Sequence, residues 1–418
     1  MSERSPSAFR PVPRTGVIYV TSEARKRGFG IDDGWCNLGQ GQPEVGPIDG
    51  AAERITHVDF TEDDLEYSPV AGLWELREAV ASLYNARYRR GMKSQYTAEN
   101  VAIAAGGRTG LTRIATALGT VNLGHLLPDY TAYEELLDVF RAFVPIPIVL
   151  HEDEGFRLSP SRLEREIVGA GLGAVLLSNP CNPTGCAITG SALSQWVATA
   201  RRNGCVLILD EFYAHYVYDL DDSAAGRGIS AAAYVEDVDT DPIVFVDGLT
   251  KNWRYPGWRL SWTVGPRSVI ERVSSAGSFL DGGAPHFLQR AALPLLELDV
   301  AQAEAAAIQQ RFGHKRRTML ERLEAMGVQV PCAPQGAFYC FAGLGGLPES
   351  LRDGMDFFRA ALEHEVICVP GEFFDVNPGQ RRSHIPSRLK GFVRLSFGPD
   401  LEQVERGLDR LSGMIASA

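Results

Sequence analysis

The stretch IVFVDGLTKNWRYPGWR, residues 243–259, joins a short apolar run to a lysine in aromatic surroundings. The run at residues 243–246 predicts a buried strand, and Lys251 follows shortly after it. A lysine held in apolar surroundings loses part of its proton affinity, which makes its amine a usable nucleophile toward an aldehyde. Most lysines are solvated surface charges. The interpretation of Lys251 therefore depends on other segments; Lys93, Lys315 and Lys390 lie in polar stretches.

Two other apolar runs end in polar residues that would complement such a lysine. Residues 206–209 precede Asp210, where strands of a parallel sheet open onto a ligand crevice, and a carboxylate there can pair with a protonated ring nitrogen. Residues 174–177 precede the segment SNPCNPTG, whose prolines and glycine force a turn that presents the Asn182 amide. A plain turn would have a similar sequence.

Two segments indicate a site for an anion. Arg259 offers a fixed positive charge with a forked set of donors, which suits a phosphate group. Residues 101–104 read as a strand, and apolar residues then recur at helical spacing from Leu111 to Leu118. The intervening Gly106-Gly107-Arg108-Thr109 therefore opens a helix, whose first amides can bind a phosphate. An ordinary strand-to-helix turn would share this pattern.

In this order, the segments resemble the class I/II aminotransferase family of pyridoxal-phosphate enzymes, from about Gly39 to Phe397. The resemblance implies the aspartate-aminotransferase fold type I. This is an α/β fold with a three-layer α/β/α large domain, a mostly parallel sheet, and a smaller α+β domain built from the C-terminal part and an N-terminal segment. Between about residues 65 and 295, strand-like runs alternate with helical patterns, which also favours a mostly parallel sheet flanked by helices.

The resemblance implies a site for pyridoxal 5'-phosphate. Lys251 would form a Schiff base with the cofactor and then move a proton to and from the substrate α carbon. Asp210 would keep the ring nitrogen protonated, so that the ring accepts negative charge. Asn182 and Tyr213 would donate to the phenolic oxygen, and Tyr130 would stack on the ring. The catalytic residues would thus be Lys251, Asp210 and Tyr213.

The phosphate group would be surrounded by Gly107, Arg108, Thr109, Thr250 and Arg259. This part of the chain departs from the family pattern, because Thr250 and Gly248 stand where serines are usual. Ser261 replaces a usual glycine. Arg108 replaces a commoner small residue or lysine, which leaves the role of its side chain open.

Three further positions concern the substrate and a second chain. Arg394 resembles the arginine that binds the α-carboxylate of the amino acid in a bidentate pair. Gly41 and Asn182 would contact the same substrate. Tyr67 resembles the tyrosine that reaches across a homodimer to the phosphate of the other subunit, so that two chains would share each active site.

The chain of 418 residues exceeds the size of one compact core and predicts two domains. We assign residues 1–35 to an N-terminal arm, 65–298 to the large cofactor-binding domain, and 36–64 with 299–418 to the small domain. A helix ending at Asn203-Gly204 and a long helix from Val300 to Met326 are also predicted.

Composition excludes several other classes. The net charge of -11 argues against binding to nucleic acid. No apolar run approaches membrane length, and no apolar stretch follows the first residues. Seven cysteines without a Cys-x-x-Cys pair predict free thiols in a reducing compartment, no metal site and a cytoplasmic protein.

The resemblance implies a transferase that moves an amino group between an amino acid and a 2-oxo acid. The alternative within enzymes is another pyridoxal-phosphate reaction on the same fold, that of a lyase, a synthase or an amino-acid oxidase. Outside enzymes, the alternative is a non-catalytic pyridoxal-phosphate-binding module. The amino donor, the acceptor and the pathway stay open at this point.

Asp281, in the glycine-rich loop SFLDGGAP, yields one hypothesis about specificity. An unpaired buried carboxylate is costly, and a cationic substrate side chain would offset that cost. This hypothesis predicts a preference for a basic amino acid. The alternative is that Asp281 only caps the turn before two glycines.

Overall fold

The computed structural model describes residue 12 and residues 16–31, 34–140, 142–218 and 225–418. The helices of these regions are α1 (Gly16–Arg25), α2 (Trp74–Tyr88), α3 (Gly107–Ala117), α4 (Tyr133–Val139), α5 (Pro160–Ala170), α6 (Gly190–Asn203), α7 (Arg267–Leu280), α8 (His286–Ala292), α9 (Leu298–Ala325), α10 (Gly354–Glu363) and α11 (Leu401–Ala416). The strands are β1 (Cys36–Asn37), β2 (Val101–Ala104), β3 (Asn122–Leu127), β4 (Val144–Val149), β5 (Leu172–Ser178), β6 (Val206–Asp210), β7 (Ile243–Gly248), β8 (Ser261–Val264), β9 (Tyr339–Gly343), β10 (Val366–Ile367), β11 (Val369–Pro370) and β12 (Phe392–Ser396).

The main sheet has seven strands in the order β2-β8-β7-β6-β5-β3-β4. Strands β3 to β7 run parallel, and β8 is antiparallel to both of its neighbours. Every residue of β7 is buried, and successive strand residues point to opposite faces, so both faces of the sheet are covered. The predicted α/β fold with a mostly parallel sheet flanked by helices is confirmed.

The parallel register brings the carboxyl ends of three central strands together. Ser178 at the end of β5 pairs with Asp210 at the end of β6, and Asp210 pairs with Val246 of β7. The segments that follow these strands carry Asn182, Tyr213 and Lys251. Residues far apart in the chain therefore open onto one edge of the sheet, where ligands of α/β proteins bind.

A second, antiparallel sheet has the order β11-β12-β9 and places Arg394 opposite Val369 and Phe341. The short strand β1 pairs in parallel with β10, so an N-terminal segment joins the C-terminal part of the chain. This pairing agrees with a small domain assembled from both ends, although the domain boundaries stay a prediction.

Part of the predicted arm over residues 1–35 forms a helix that packs on its own chain, and the assignment of an arm stays a prediction. Helix α1 buries Val20 and Ala24, and the ring of Tyr19 lies 5.3 Å from that of Phe373 in the same chain. Residues 16–25 therefore pack on their own chain, because apolar residues at helical spacing form a face that must be buried. Residues 1–11, 13–15 and 32–33 of the predicted arm lie outside the described residues.

The prediction that all cysteines are free thiols is wrong for one pair. Cys186 and Cys332, which are separated by 146 positions, form a disulfide. Sequence spacing could not indicate the pair, because the fold alone brings these two segments together. The remaining five cysteines are free and buried.

Within the described residues, no helix is long and apolar enough to cross a membrane. The same part of the chain holds no cluster of three or more acidic, histidine or cysteine side chains with the geometry of a metal site.

Candidate active site

Lys251 lies three residues after β7 and is half-buried. Its Nζ donates to the backbone oxygen of Gly41, a residue far from it in the chain. Loss of hydration lowers the pKa of Lys251 to about 7, and the charges of Arg259, Arg394 and Arg108 add to this effect. A substantial fraction of the amine is therefore neutral near pH 7, as a nucleophile requires.

Asp210 ends β6 and is buried. Burial raises the pKa of its carboxyl group to about 6, although hydrogen bonds oppose this rise. The hydroxyl of Tyr133 donates to Asp210 Oδ2 at 3.0 Å, and the Phe212 amide donates to Oδ1 at 3.4 Å. A cation beside this carboxylate would offset its burial, which is what a protonated ring nitrogen supplies.

Tyr133 was missed by the sequence analysis. It begins α4 three residues after Tyr130, and its amide donates to the Tyr130 oxygen at 3.0 Å in the turn before the helix. That spacing was the only signal in the sequence. The fold decides the contact, because only folding brings Tyr133 beside Asp210, which lies 77 positions later in the chain at the end of β6.

Asn182 and Arg394 meet across the two sheets. Arg394 donates from Nη1 to Asn182 Oδ1 at 2.8 Å and from Nη2 to the Gly39 oxygen at 2.6 Å. Its guanidinium lies 4.2 Å from the Tyr339 ring centroid, and its buried Nε has no hydrogen-bond partner in the described structure. Burial lowers the pKa of Arg394 from its usual value. A buried cation with an unused donor fits a carboxylate.

Tyr213 and Tyr339 form a pair of buried hydroxyls. Their oxygens are 2.8 Å apart, and burial raises the pKa of Tyr339 to about 12. Gly41 packs tightly here, because a Cβ on this glycine would lie 3.3 Å from the Tyr339 oxygen. The structure thus brings the predicted residues Gly41, Tyr213 and Arg394 around Tyr339, a residue that the sequence analysis did not identify.

Arg259 and the start of α3 form a site for an anion. Gly106 has a φ of 91°, and a Cβ there would lie 2.4 Å from the Arg259 Nη2 atom. Glycine therefore lets the guanidinium lie against the helix N-terminus, where free amides and the helix dipole favour negative charge. The Thr250 Oγ1 atom is buried without a hydrogen-bond partner among the described residues. These unused donors fit a phosphate group.

The other predicted phosphate residues contribute differently. Arg108 is exposed and donates from Nη2 to the Tyr130 hydroxyl at 3.0 Å, so its side chain meets the residue predicted to stack on the cofactor ring. The Thr109 hydroxyl donates to the Ala105 oxygen at 3.1 Å within the same turn. Gly107 packs against Phe212, since a Cβ there would lie 2.4 Å from its ring.

Tyr67 does not reach the site of its own chain through any described contact, and its exposed fraction is 98%. Phe60, Leu65 and Phe279 are also largely exposed, at 65%, 83% and 73%. Each of these four large side chains is thus mostly exposed in the single chain.

Asp281 does not meet the premise of the specificity hypothesis. Its carboxylate accepts from Arg113 Nε at 2.8 Å and from the Gly283 amide at 2.9 Å, and it also pairs with Arg113 Nη2. The Arg113 hydrogen bond lowers the pKa of Asp281 despite partial burial. The acid is already paired and caps the turn, so the alternative interpretation replaces the prediction of a basic substrate.

Lys315 also departs from its predicted polar surroundings. It is buried in α9, and its Nζ lies 2.8 Å from Glu44 Oε1 and 2.5 Å from the Pro399 oxygen. Lys315 falls on the inner face of the helix, which its polar neighbours in the sequence did not reveal.

A lysine and a carboxylate lie where the parallel strands β7 and β6 end, and the charges of Arg259, Arg394 and Arg108 act on that lysine. This arrangement is typical of an α/β enzyme that binds anionic ligands. Its sequence matches the model of the family "Aminotransferase class I and II" over residues 33–411, and the chain belongs to this family. The predicted family and enzyme class are confirmed. Membership implies pyridoxal phosphate as the cofactor and an amino acid and a keto acid as substrates.

Individual relatives agree over nearly the whole chain. The aspartate aminotransferase of Sulfolobus acidocaldarius is 29% identical over 416 residues, which cover 96% of this chain and 94% of that protein. A probable aspartate/prephenate aminotransferase of Aquifex aeolicus is 25% identical over 409 residues, with 97% and 96% covered. The solved aspartate aminotransferase of Thermus thermophilus with maleate superposes with a TM-score of 0.78 at 24% identity, covering 98% and 100% of the two chains. That last similarity concerns the fold.

Proposed function

We propose that this aminotransferase binds pyridoxal 5'-phosphate at Lys251 and uses the residues described above to exchange an amino group between an amino acid and a 2-oxo acid. The observation that carries the proposal is the environment of Lys251. Burial and the charges of three arginines lower its pKa, and the carboxylate of Asp210 is the one charge that raises it. Each of these charges has a natural partner on the cofactor or the substrate.

The cofactor would be held at both ends. Arg259, Thr250 and the amides at the start of α3 would bind the phosphate, and Asp210, oriented by Tyr133, would face the ring nitrogen. Tyr213 would donate to the ring oxygen. When bound, pyridoxal phosphate supplies an electron-accepting ring that stabilises negative charge at the substrate α carbon.

Lys251 would act first as a nucleophile and then as a base. Its amine is partly neutral near pH 7, so it can attack an aldehyde and later take and return the α proton. Arg394 would hold the α-carboxylate, with Asn182 and the Gly39 oxygen fixing the plane of its guanidinium. A fixed carboxylate keeps the α carbon within reach of Lys251.

The test is a half-reaction with a single turnover. Purified protein loaded with pyridoxal phosphate is mixed with each proteinogenic amino acid, and the change in cofactor absorbance is followed together with the 2-oxo acid formed. We expect one equivalent of 2-oxo acid per site. Ammonia, carbon dioxide or peroxide in place of a retained amino group would favour the lyase or oxidase alternative, and no reaction with any donor would favour a binding module.

We also propose an acidic side chain for the preferred substrate. Arg108 forms no ion pair with a described carboxylate, yet its charge acts on Lys251. Because Arg259 would bind the phosphate and Arg394 the α-carboxylate, Arg108 remains for a second carboxylate on the substrate. Several relatives are named aspartate aminotransferases. We expect kcat/KM for aspartate or glutamate to exceed that for leucine and arginine, and Arg108→Gln to reduce this advantage about tenfold or more. Equal values for aspartate and arginine would contradict the proposal.

The functional unit would be a homodimer with shared sites. The large exposed side chains of Phe60, Leu65, Tyr67 and Phe279 support a second copy of the chain as the partner that would cover them. Hybrid dimers of Lys251→Ala and Tyr67→Ala, formed after dissociation, should recover activity that neither variant has alone. A monomer by light scattering, with no recovery, would contradict shared sites. The cytoplasmic location stays a prediction from the sequence.

A further inference from the structure

Tyr339, at the start of β9, contacts both halves of the proposed site. Its hydroxyl oxygen lies 2.8 Å from that of Tyr213, and its ring centroid lies 4.2 Å from the Arg394 guanidinium carbon. The side chain is completely buried. A single residue therefore meets the predicted donor to the cofactor ring and the predicted partner of the substrate carboxylate.

The hydroxyl pair has one spare hydrogen. Each hydroxyl carries a single proton, so one tyrosine donates in the mutual bond and the other keeps its O–H free. Neither hydroxyl makes another hydrogen bond with the described residues. If Tyr339 donates in this pair, the O–H of Tyr213 stays available to an acceptor in the site. The hydrogen bond that Tyr213 accepts from Tyr339 then strengthens the hydrogen bond that Tyr213 donates.

The ring contact follows from the register of the second sheet. Arg394 pairs with Phe341, and Tyr339 pairs with Ser396, so Arg394 and Tyr339 are diagonal neighbours on one face. Asn182 and Gly39 fix the edge of the guanidinium, and the Tyr339 ring covers its face. A cation above an aromatic ring is attracted to it, more strongly when water is excluded.

We propose that Tyr339 is a positioning residue, whose hydroxyl directs the proton of Tyr213 toward the cofactor ring oxygen while its ring holds Arg394 for the substrate carboxylate. The inference rests on the proposed function. It separates into two parts, because Tyr339→Phe removes the hydroxyl alone and Tyr339→Leu removes both the hydroxyl and the ring.

The first part predicts an effect on turnover and on the cofactor spectrum. In Tyr339→Phe we expect kcat to fall about tenfold, as for the loss of one hydrogen bond, while the KM of the amino donor stays within about threefold. The visible absorption of the bound cofactor should titrate at a higher pH than in the parent protein. Negative charge on the ring oxygen would lose part of its support, and protonation would become easier.

The second part predicts an effect on substrate binding. In Tyr339→Leu we expect the KM of the amino donor to rise about a further tenfold beyond Tyr339→Phe, since the cation loses its aromatic partner. The shift in the cofactor titration should match that of Tyr339→Phe, because both variants lack the same hydroxyl.

Two matched variants separate these effects from packing. Tyr218→Phe removes another buried hydroxyl, which donates to the Ala337 oxygen two residues before Tyr339. Phe392→Leu removes a ring from β12, the strand of Arg394. We expect both to lower the melting temperature to an extent similar to the Tyr339 variants, with an unchanged cofactor titration and an unchanged KM.

The outcomes distinguish the two proposals. A parent protein that binds pyridoxal phosphate and turns over, with Tyr339→Phe showing the same titration and kcat, would overturn the role of the hydroxyl. Equal KM values in Tyr339→Leu and Tyr339→Phe would overturn the role of the ring. A parent protein without a cofactor absorption band would overturn the proposed function itself.

Discussion

Lys251 is half-buried and Lys315 is buried, yet the two amines have opposite surroundings. Burial lowers the pKa of both amines, to about 7 and about 8. Lys315 has a carboxylate partner at 2.8 Å, Glu44, whereas the charges that act most strongly on Lys251 are arginines. Burial shifts the proton affinity in both places, and the neighbours decide whether the amine is held as a cation in an ion pair or left reactive.

The largest expected effect is at Lys251. Lys251→Ala should abolish turnover, on the order of ten-thousandfold or more, because nucleophile and base are lost together. Borohydride reduction of the parent protein with pyridoxal phosphate, followed by peptide mapping, should place the label on Lys251. A label on Lys315 would remove the distinction between the two lysines.

Arg394 tests the arginines around Lys251. Arg394→Ala should raise the KM of the amino donor on the order of a thousandfold, because a bidentate charge pair with the α-carboxylate is lost. Steady-state kinetics across donor concentrations measures the effect. If only the melting temperature changed, Arg394 would be a packing residue that joins the two sheets.

A substitution of Asp210 tests the one negative charge that opposes the arginines around Lys251. Asp210→Asn should retain the cofactor but lose about a hundredfold or more in kcat, because a neutral amide no longer keeps the ring nitrogen protonated. Cofactor content by absorbance and kcat under saturating donor are the two measurements. Turnover close to that of the parent would show that the carboxylate has no electronic role here.

The lowered pKa of Lys251 predicts the pH dependence of cofactor uptake. A lowered pKa means that the amine becomes neutral at a lower pH than an ordinary lysine, here with a midpoint near pH 7. The rate at which cofactor-free protein binds pyridoxal phosphate should rise about tenfold between pH 6 and 8 and then level off. A rate that still rises tenfold per pH unit above 9 would indicate an ordinary lysine.

The smallest expected effect on activity is at Lys315. Lys315→Met should keep kcat and KM within about twofold while lowering the free energy of unfolding by roughly 1–2 kcal/mol. The loss is limited because Glu44 keeps a second partner, Arg311, at 3.0 Å. Urea unfolding and steady-state kinetics provide the two values, and a large loss of kcat would place Lys315 in the active site.

Local patterns predicted the elements well. The helix expected to end at Asn203-Gly204 is α6, and Gly204 has the left-handed φ of 61° that stops it. The long helix expected over residues 300–326 is α9, which ends at Ala325 before Gly327. In both, the signals are contained in neighbouring residues, so one stretch of sequence holds all the information required.

Contacts between segments that are distant in the chain could not be predicted from the sequence. The sequence did not predict the contacts of Tyr133, Tyr339 or Cys332. Each of these residues contacts a partner at least 77 positions away in the chain, through a hydrogen bond or a disulfide. The hypothesis about Asp281 failed for the same reason, since its partner Arg113 is 168 residues away. Nothing in the sequence around Asp281 indicated whether its carboxylate was paired.

The sequence by itself determined the residue types that carry the chemistry, their order on strand ends and helix starts, and through these the family and the fold. Apolar runs, glycine turns and caps act within a few residues, so they can be read directly. Only the tertiary structure decided which charges surround Lys251, which carboxylates are paired and which tyrosine hydroxyls form a hydrogen bond with each other. Electrostatic and hydrogen-bond energies depend on distance and burial, and both are set by packing between segments far apart in the chain.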